Sequence, residues 1–223
     1  MDISDQMDRK LQVGVVASIK LTSTRTQWAS LSTEFTGCAT NTIQSPIDVT
    51  NQSTVAVAGS TLNIEFPDTA TAEFENIGTT VEVVMEGKGA KTTIAGKEFE
   101  LKQFHFHSPS EHTVDGEYFP LEMHMVHEAA GMFEKHANPY NSYPNKVSID
   151  KSIAVLAVHF QLSENGETTE LVKGIMDKIG AISTAGTVTE VGPLVFTPVV
   201  DALKAQNLHQ YTGMFITMIT RLL

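Results

Sequence analysis

Two stretches, Gln103 to His112 and Leu121 to His127, alternate apolar with polar residues, and a period of two commits both to β-strands that bury one face. In the first, Gln103, His105 and His107 share a face while Phe104 and Phe106 look the other way. In the second, Glu122, His124 and Val126 share a face, and His127 falls on the opposite one. The segment Ser108 to Gly116 is rich in Ser, Pro, Asp and Gly, which suits a loop that returns the second strand beside the first. Three imidazoles can then converge.

Three neutral imidazoles with an open fourth position describe a catalytic zinc site, because a structural one is closed by a further protein ligand, usually Cys. The chain has one Cys, Cys38, far upstream. A metal-ligating His donates its other ring N–H to an acceptor. Gln103 and Glu122 stand on the same faces as His105 and His124, two residues earlier, where such acceptors belong. A His pair at i and i+2 is by itself unremarkable; the third His, both acceptors and the motif around them together favour a metal site.

The run QFHFHSPSEHTVDGEYFPLEMHMVHEA resembles the zinc-binding core of the α-class carbonic anhydrases, particularly those with a short loop after the second His. Carbonic anhydrase is itself the standard illustration of a three-His zinc site, so the chemistry comes with the resemblance and not from the spacing. The resemblance implies zinc held by His105, His107 and His124, with Gln103 and Glu122 as acceptors behind them. It implies a CO2 pocket walled by Val126 and Val155. Glu111 matches the carboxylate that receives a hydrogen bond from a gatekeeping Thr. The implied reaction is reversible hydration of CO2 to bicarbonate and a proton by zinc-bound hydroxide. Gln44-Ser45-Pro46-Ile47-Asp48 and Ala154-Val155-Leu156-Ala157-Val158 extend the similarity, which runs from about Trp28 to Gly213. The implied fold is mainly β (α+β): a large, twisted, mostly antiparallel central sheet with short peripheral helices.

The rest of the chain suits that fold. Short β patterns occur at Leu62 to Phe66, Thr80 to Val84, Thr92 to Ile94 and Phe99 to Leu101, separated by turn signals at Pro67-Asp68, Gly78, Gly87 and Gly96. Ile153 to Leu162 reads as a buried strand on which His159 shares a face with Val155. Thr168 to Ile179 reads as an amphipathic helix with Leu171, Val172, Ile175, Met176 and Ile179 on its apolar stripe, and Pro198 to Ala205 as a second helix. The insertion between His127 and Ile153 is polar, and its His136 reads as a solvated loop residue.

A net charge of −11 disfavours nucleic acid and anionic membrane as partners, and no apolar run reaches membrane-spanning length. The implied partner is the small-molecule pair CO2 and bicarbonate, with the oligomeric state left open. Residues 1–24 read as a divergent segment that makes a poor signal peptide, and 25–223 as one domain. The resemblance and the sequon Asn51-Gln52-Ser53 together suggest secretion. Two departures bear on activity. Thr79 stands where some family members carry a proton-shuttling His, which implies reliance on buffer for proton removal. After Tyr211-Thr212-Gly213, Ile216 falls at the gatekeeper position, and the family's later strands do not follow, so the domain reads as C-terminally truncated. The alternative is a catalytically impaired, carbonic-anhydrase-related binding protein.

Overall fold

The computed structural model describes residues 44–129, 153–213 and 216–222, the last of these as backbone. The expectations for residues 1–24, Trp28, Cys38 and the insertion bearing His136 lie outside them. The strands are β1 (Asp48–Val49), β2 (Val55–Ala58), β3 (Asn63–Glu65), β4 (Ala72–Asn76), β5 (Val81–Val84), β6 (Lys91–Ile94), β7 (Lys97–His107), β8 (Thr113–Val114), β9 (Leu121–Ala129), β10 (Ile153–Phe160), β11 (Val188–Val191), β12 (Asn207–Thr212) and β13 (Ile216–Leu222). Two helices, α1 (Glu170–Met176) and α2 (Thr197–Ala205), accompany them among the described residues.

Eleven of these strands form one sheet, with the path β11-β4-β5-β7-β9-β10-β13-β12-β2 and with β6 joining β3 to β7. Every pairing in it is antiparallel except β10 with β13. This is the mainly β architecture with short peripheral helices that the resemblance implies. No helix among the described residues is long and apolar enough to cross a membrane.

One sheet face carries the core. Phe104, Phe106, Met123, Met125, Leu156 and Val158 are buried there against Leu171, Ile175, Phe196 and Leu203 of the helical segments. The rings of Phe104 and Phe196 meet edge to face at 5.7 Å, a geometry that adds to the area they bury. Thr169 caps α1 by accepting the Val172 N–H, and α2 begins with Pro near its first turn, where a missing N–H costs nothing. The helix expected over Thr168 to Ile179 is shorter: it stops at Met176, and the chain tightens into a 3-10 turn at Ile179–Ile182. Ile182 and Leu171 still reach the core.

The strand bearing His105 and His107 is longer than the sequence suggests. Phe99 to Leu101 and Gln103 to His107 are one strand, β7, joined through a bulge. Leu101 pairs with His127 and Gln103 with Val126, so Lys102 is an extra residue in the ladder. The bulge shifts the phase of alternation. Phe99 and Leu101 on one side of it, and Phe104 and Phe106 on the other, therefore all bury on the core face. Asn51, Gln52 and Ser53 of the sequon are exposed in the turn between β1 and β2.

Candidate metal centre

The opposite face of β7, β9 and β10 collects the polar residues. Register sets His105 directly across from His124, His107 across from Glu122, and Gln103 across from Val126. On the other flank of β9, Val155 faces Val126, Ala157 faces His124, and His159 faces Glu122. Ala157 is buried in a small apolar cluster with Val49 and Tyr211.

His105, His107 and His124 converge: one ring nitrogen from each lies within 4.8 Å of the others. Their ring centroids are 4.8 to 5.3 Å apart. Hydrogen bonding decides which nitrogen each ring has left. His105 Nδ1–H donates to Gln103 Oε1 at 2.8 Å, leaving Nε2. His124 Nε2 lies 2.9 Å from Glu122 Oε1, an ion-pair contact without a well-aligned hydrogen bond, which leaves Nδ1. His107 Nε2 is buried and has no hydrogen-bond partner, although Glu111 Oε2 lies 3.4 Å away. A buried orphan of this kind is costly unless a ligand completes it, and the donor set suits zinc.

The electrostatics keep two of the rings in the form a metal needs. Burial, reinforced by the neighbouring imidazoles, pushes His107 down to about 3 and His105 well below its usual range. Both are neutral, with lone pairs available. Burial also opposes charge on His124, but Glu122 more than offsets it and raises the pKa. Glu122 itself is fully buried, and burial alone would raise its pKa. The charge of the His124 imidazole, then the hydrogen bond from His112, instead hold the carboxyl well below its ordinary value.

Glu122 is fastened by more than the sequence indicates. Its Oε2 accepts the backbone N–H groups of Glu111 at 2.7 Å and His112 at 3.0 Å. Its Oε1 accepts from His112 Nδ1–H at 2.6 Å. That bond fixes the tautomer, so His112 Nε2 accepts from the Tyr211 hydroxyl at 2.7 Å. Tyr211 Oη in turn accepts from the Ser45 hydroxyl at 2.6 Å. Sequence reasoning assigned His112 no role at the metal. The signal lay in the flanking motifs, because Ser45 belongs to Gln44-Ser45-Pro46-Ile47-Asp48 and Tyr211 to Tyr211-Thr212-Gly213. Asp48 Oδ1 accepts from Thr113 Oγ1–H at 2.7 Å and from Gly116 N–H at 2.9 Å, tying the loop after β7 to β1. A Cβ on Gly213 would meet Gln44 O at 2.8 Å, so only Gly lets these two motifs approach so closely.

The remaining candidates surround the triad. Burial raises the pKa of Glu111, and the His124 charge partly offsets this. Val126 and Val155 are cross-strand partners on the site face. Glu82 of β5 pairs with His105, a neighbour the sequence reading did not include. Thr79 is exposed in the turn before β5. The backbone of β13 sets Ile216 beside Ala154 and Thr217 beside Val155 and Tyr211; their side chains lie outside the description.

Comparison with known proteins agrees with this geometry. The family model described as eukaryotic-type carbonic anhydrase matches residues 23–217. Alpha carbonic anhydrase 6 of Arabidopsis thaliana is 38% identical over 104 residues, which is 47% of this chain and 40% of that protein. A carbonic anhydrase of Klebsiella pneumoniae is 33% identical over 147 residues, 66% of this chain and 50% of that protein. The matches thus span half or less of these relatives. Among solved structures, a fungal alpha carbonic anhydrase from Aspergillus oryzae superposes with a TM-score of 0.72 at 28% identity, covering 89% of this chain and 80% of that one. Because the family match runs over most of the sequence and takes in every side chain of the triad and its acceptors, the chain belongs to the eukaryotic-type, or alpha, carbonic anhydrase family.

Proposed function

We propose that this protein is a zinc-dependent carbonic anhydrase that interconverts CO2 with bicarbonate and a proton. The observation that carries the reading is the convergence of three imidazoles, two of them with a protein acceptor beside the other ring nitrogen. The names of its relatives in Arabidopsis thaliana and Klebsiella pneumoniae support it. His105 and His107 would hold zinc through Nε2 and His124 through Nδ1. Zinc in such a site supplies the Lewis acidity that brings the ionisation of water close to neutral pH.

The protein's own groups do the rest. Gln103 fixes the tautomer of His105 through its hydrogen bond, and the Glu122 carboxylate beside His124 Nε2 favours a proton on that nitrogen, leaving Nδ1 for the metal. Val126 and Val155 offer an apolar wall suited to CO2, which has no charge to solvate, and unsuited to retaining bicarbonate, which has one. Glu111, beside His107, is our candidate for the family's carboxylate acceptor, and Ile216 at the gatekeeper position brings no hydroxyl to link it to the nucleophile.

Metal analysis together with stopped-flow CO2 hydration tests this. The purified protein should carry one zinc and hydrate CO2 above the buffer rate. His124→Ala should lose the metal and at least about 100-fold in rate, since even the loss of a partner behind a ligand costs 10–100-fold. Stoichiometric zinc without hydration would point instead to the non-catalytic, metal-retaining alternative.

A further inference from the structure

His159 takes no part in the chemistry just proposed, yet it is completely buried in β10, and neither of its ring nitrogens has a hydrogen-bond partner among the described residues. An apolar side chain there would avoid that desolvation cost. Its surroundings give the imidazole one polar direction. The strand register puts it directly opposite Glu122, and its Nε2 is 3.5 Å from Glu122 Oε1. Phe119 stacks face to face on it at 4.4 Å and 1°, which fixes the plane of the ring and leaves its edge at the carboxylate.

That oxygen is crowded. It accepts from His112 Nδ1 at 2.6 Å, lies 2.9 Å from His124 Nε2, and has His159 Nε2 as a third nitrogen beside it. A carboxylate oxygen offers about two lone-pair sites, so whatever density His159 draws is withdrawn from the contact to His124. The strength of that contact governs how basic His124 is as a ligand. A metal shared by His112, Glu122 and His159 fits less well, even though one ligand atom from each lies within 4.8 Å of the others. Two ligands of one tetrahedral zinc stand roughly 3.3 Å apart, whereas the 2.6 Å between His112 and Glu122 is a hydrogen-bond length.

We propose that His159 is a positioning residue for the metal centre: its N–H competes with His124 for Glu122 Oε1, loosens the hold of Glu122 on His124, and makes the centre release metal more readily. This inference rests on the reading of His105, His107 and His124 as the metal ligands.

The test compares zinc content, the rate of zinc release to a chelator, and the visible spectrum of the cobalt-substituted protein in wild type, His159→Phe and His159→Gln. His159→Phe keeps an aromatic ring against Phe119 but has no N–H. It should hold one zinc and release it roughly three- to tenfold more slowly, an effect below the 10–100-fold typical of removing such a partner outright. His159→Gln retains an N–H donor and should release zinc at close to the wild-type rate. The cobalt bands should shift in His159→Phe but not in His159→Gln, an ordering that a purely packing role would not produce. Phe119→Leu frees the imidazole to turn from Glu122, so it should slow release in the same direction, and it serves if His159→Phe does not fold. Equal or faster release from His159→Phe, or from Phe119→Leu in its place, overturns the proposal. So does a second zinc equivalent that disappears with His159. A wild-type protein that takes up no zinc removes this inference and the proposed function together, whereas one zinc with unchanged release rates removes this inference alone.

Discussion

At Glu82 the sheet sets carboxylates directly opposite each other, Glu75 on β4 and Glu82 on β5, a cross-strand arrangement that destabilises by repulsion. Burial, then Glu75, pushes the Glu82 pKa from 4.5 up to about 7. An acid whose folded pKa is raised binds its proton more tightly when folded, so stability is fullest below about 4.5 and falls as pH rises toward 7. The shift taken at face value would be worth about 3 kcal/mol; solvent screening at a half-buried group reduces the expected cost to about 1 kcal/mol. Glu82→Gln should therefore be about 1 kcal/mol more stable than wild type near pH 8, with the difference vanishing near pH 4. Urea unfolding of both proteins at the two pH values, in chelator so that metal does not contribute, checks this; a gap that persists at the acid end would remove Glu82 ionisation as its cause. His127 works in the opposite sense. Its Nδ1–H donates to Met125 O, so Nε2 accepts from the Thr92 hydroxyl, and burial pushes the pKa down to about 4. That contribution is present above about 6.5 and is lost as pH falls toward 4.

The period of two in Gln103 to His107 and Leu121 to His127 was enough to assign both strands and their faces, because each has one apolar side and a strand cannot slip by one residue without exposing it. The same reasoning stopped at Leu101. Two consecutive polar residues, Lys102 and Gln103, interrupt the alternation, and only the pairing with β9 shows that they are a bulge inside one strand. Contacts that depend on register between strands were illegible for the same reason: Glu82 beside His105, and His159 against Glu122, require knowing which residues face each other. The bulge itself is what lets the buried Phe99 and Leu101 coexist with site-facing His105 and His107. Deleting Lys102 should thus force either Phe99 and Leu101, or the two histidines, onto the wrong face. The deletion variant should bind no zinc or fail to fold, by metal analysis and circular dichroism. A folded variant with wild-type zinc content would show that the phase shift is not needed.

Across the whole molecule, the three imidazoles join β7 to β9, two strands in the interior of the sheet path, whereas the apolar core on the other face reaches through the helical segments. A metal held there binds the folded chain and finds no such arrangement in the unfolded one, so it stabilises by mass action. At a free zinc concentration 100 times the dissociation constant this is worth about 2.7 kcal/mol, less whatever the histidines of the unfolded chain recover. For a chain of this size each kcal/mol moves the melting temperature by about 2–4 °C. Scanning calorimetry should therefore show a rise of roughly 5–10 °C on adding zinc to chelator-stripped protein. Because Phe104, Phe106 and their partners bury without help from the triad, the stripped protein should still melt cooperatively. His124→Ala should melt at one temperature with or without zinc, since two imidazoles cannot hold the ion against solvent at that concentration. A zinc-dependent rise retained in His124→Ala would mean that the stabilising ion sits elsewhere, and an unchanged wild-type melt would mean that the converged rings bind none.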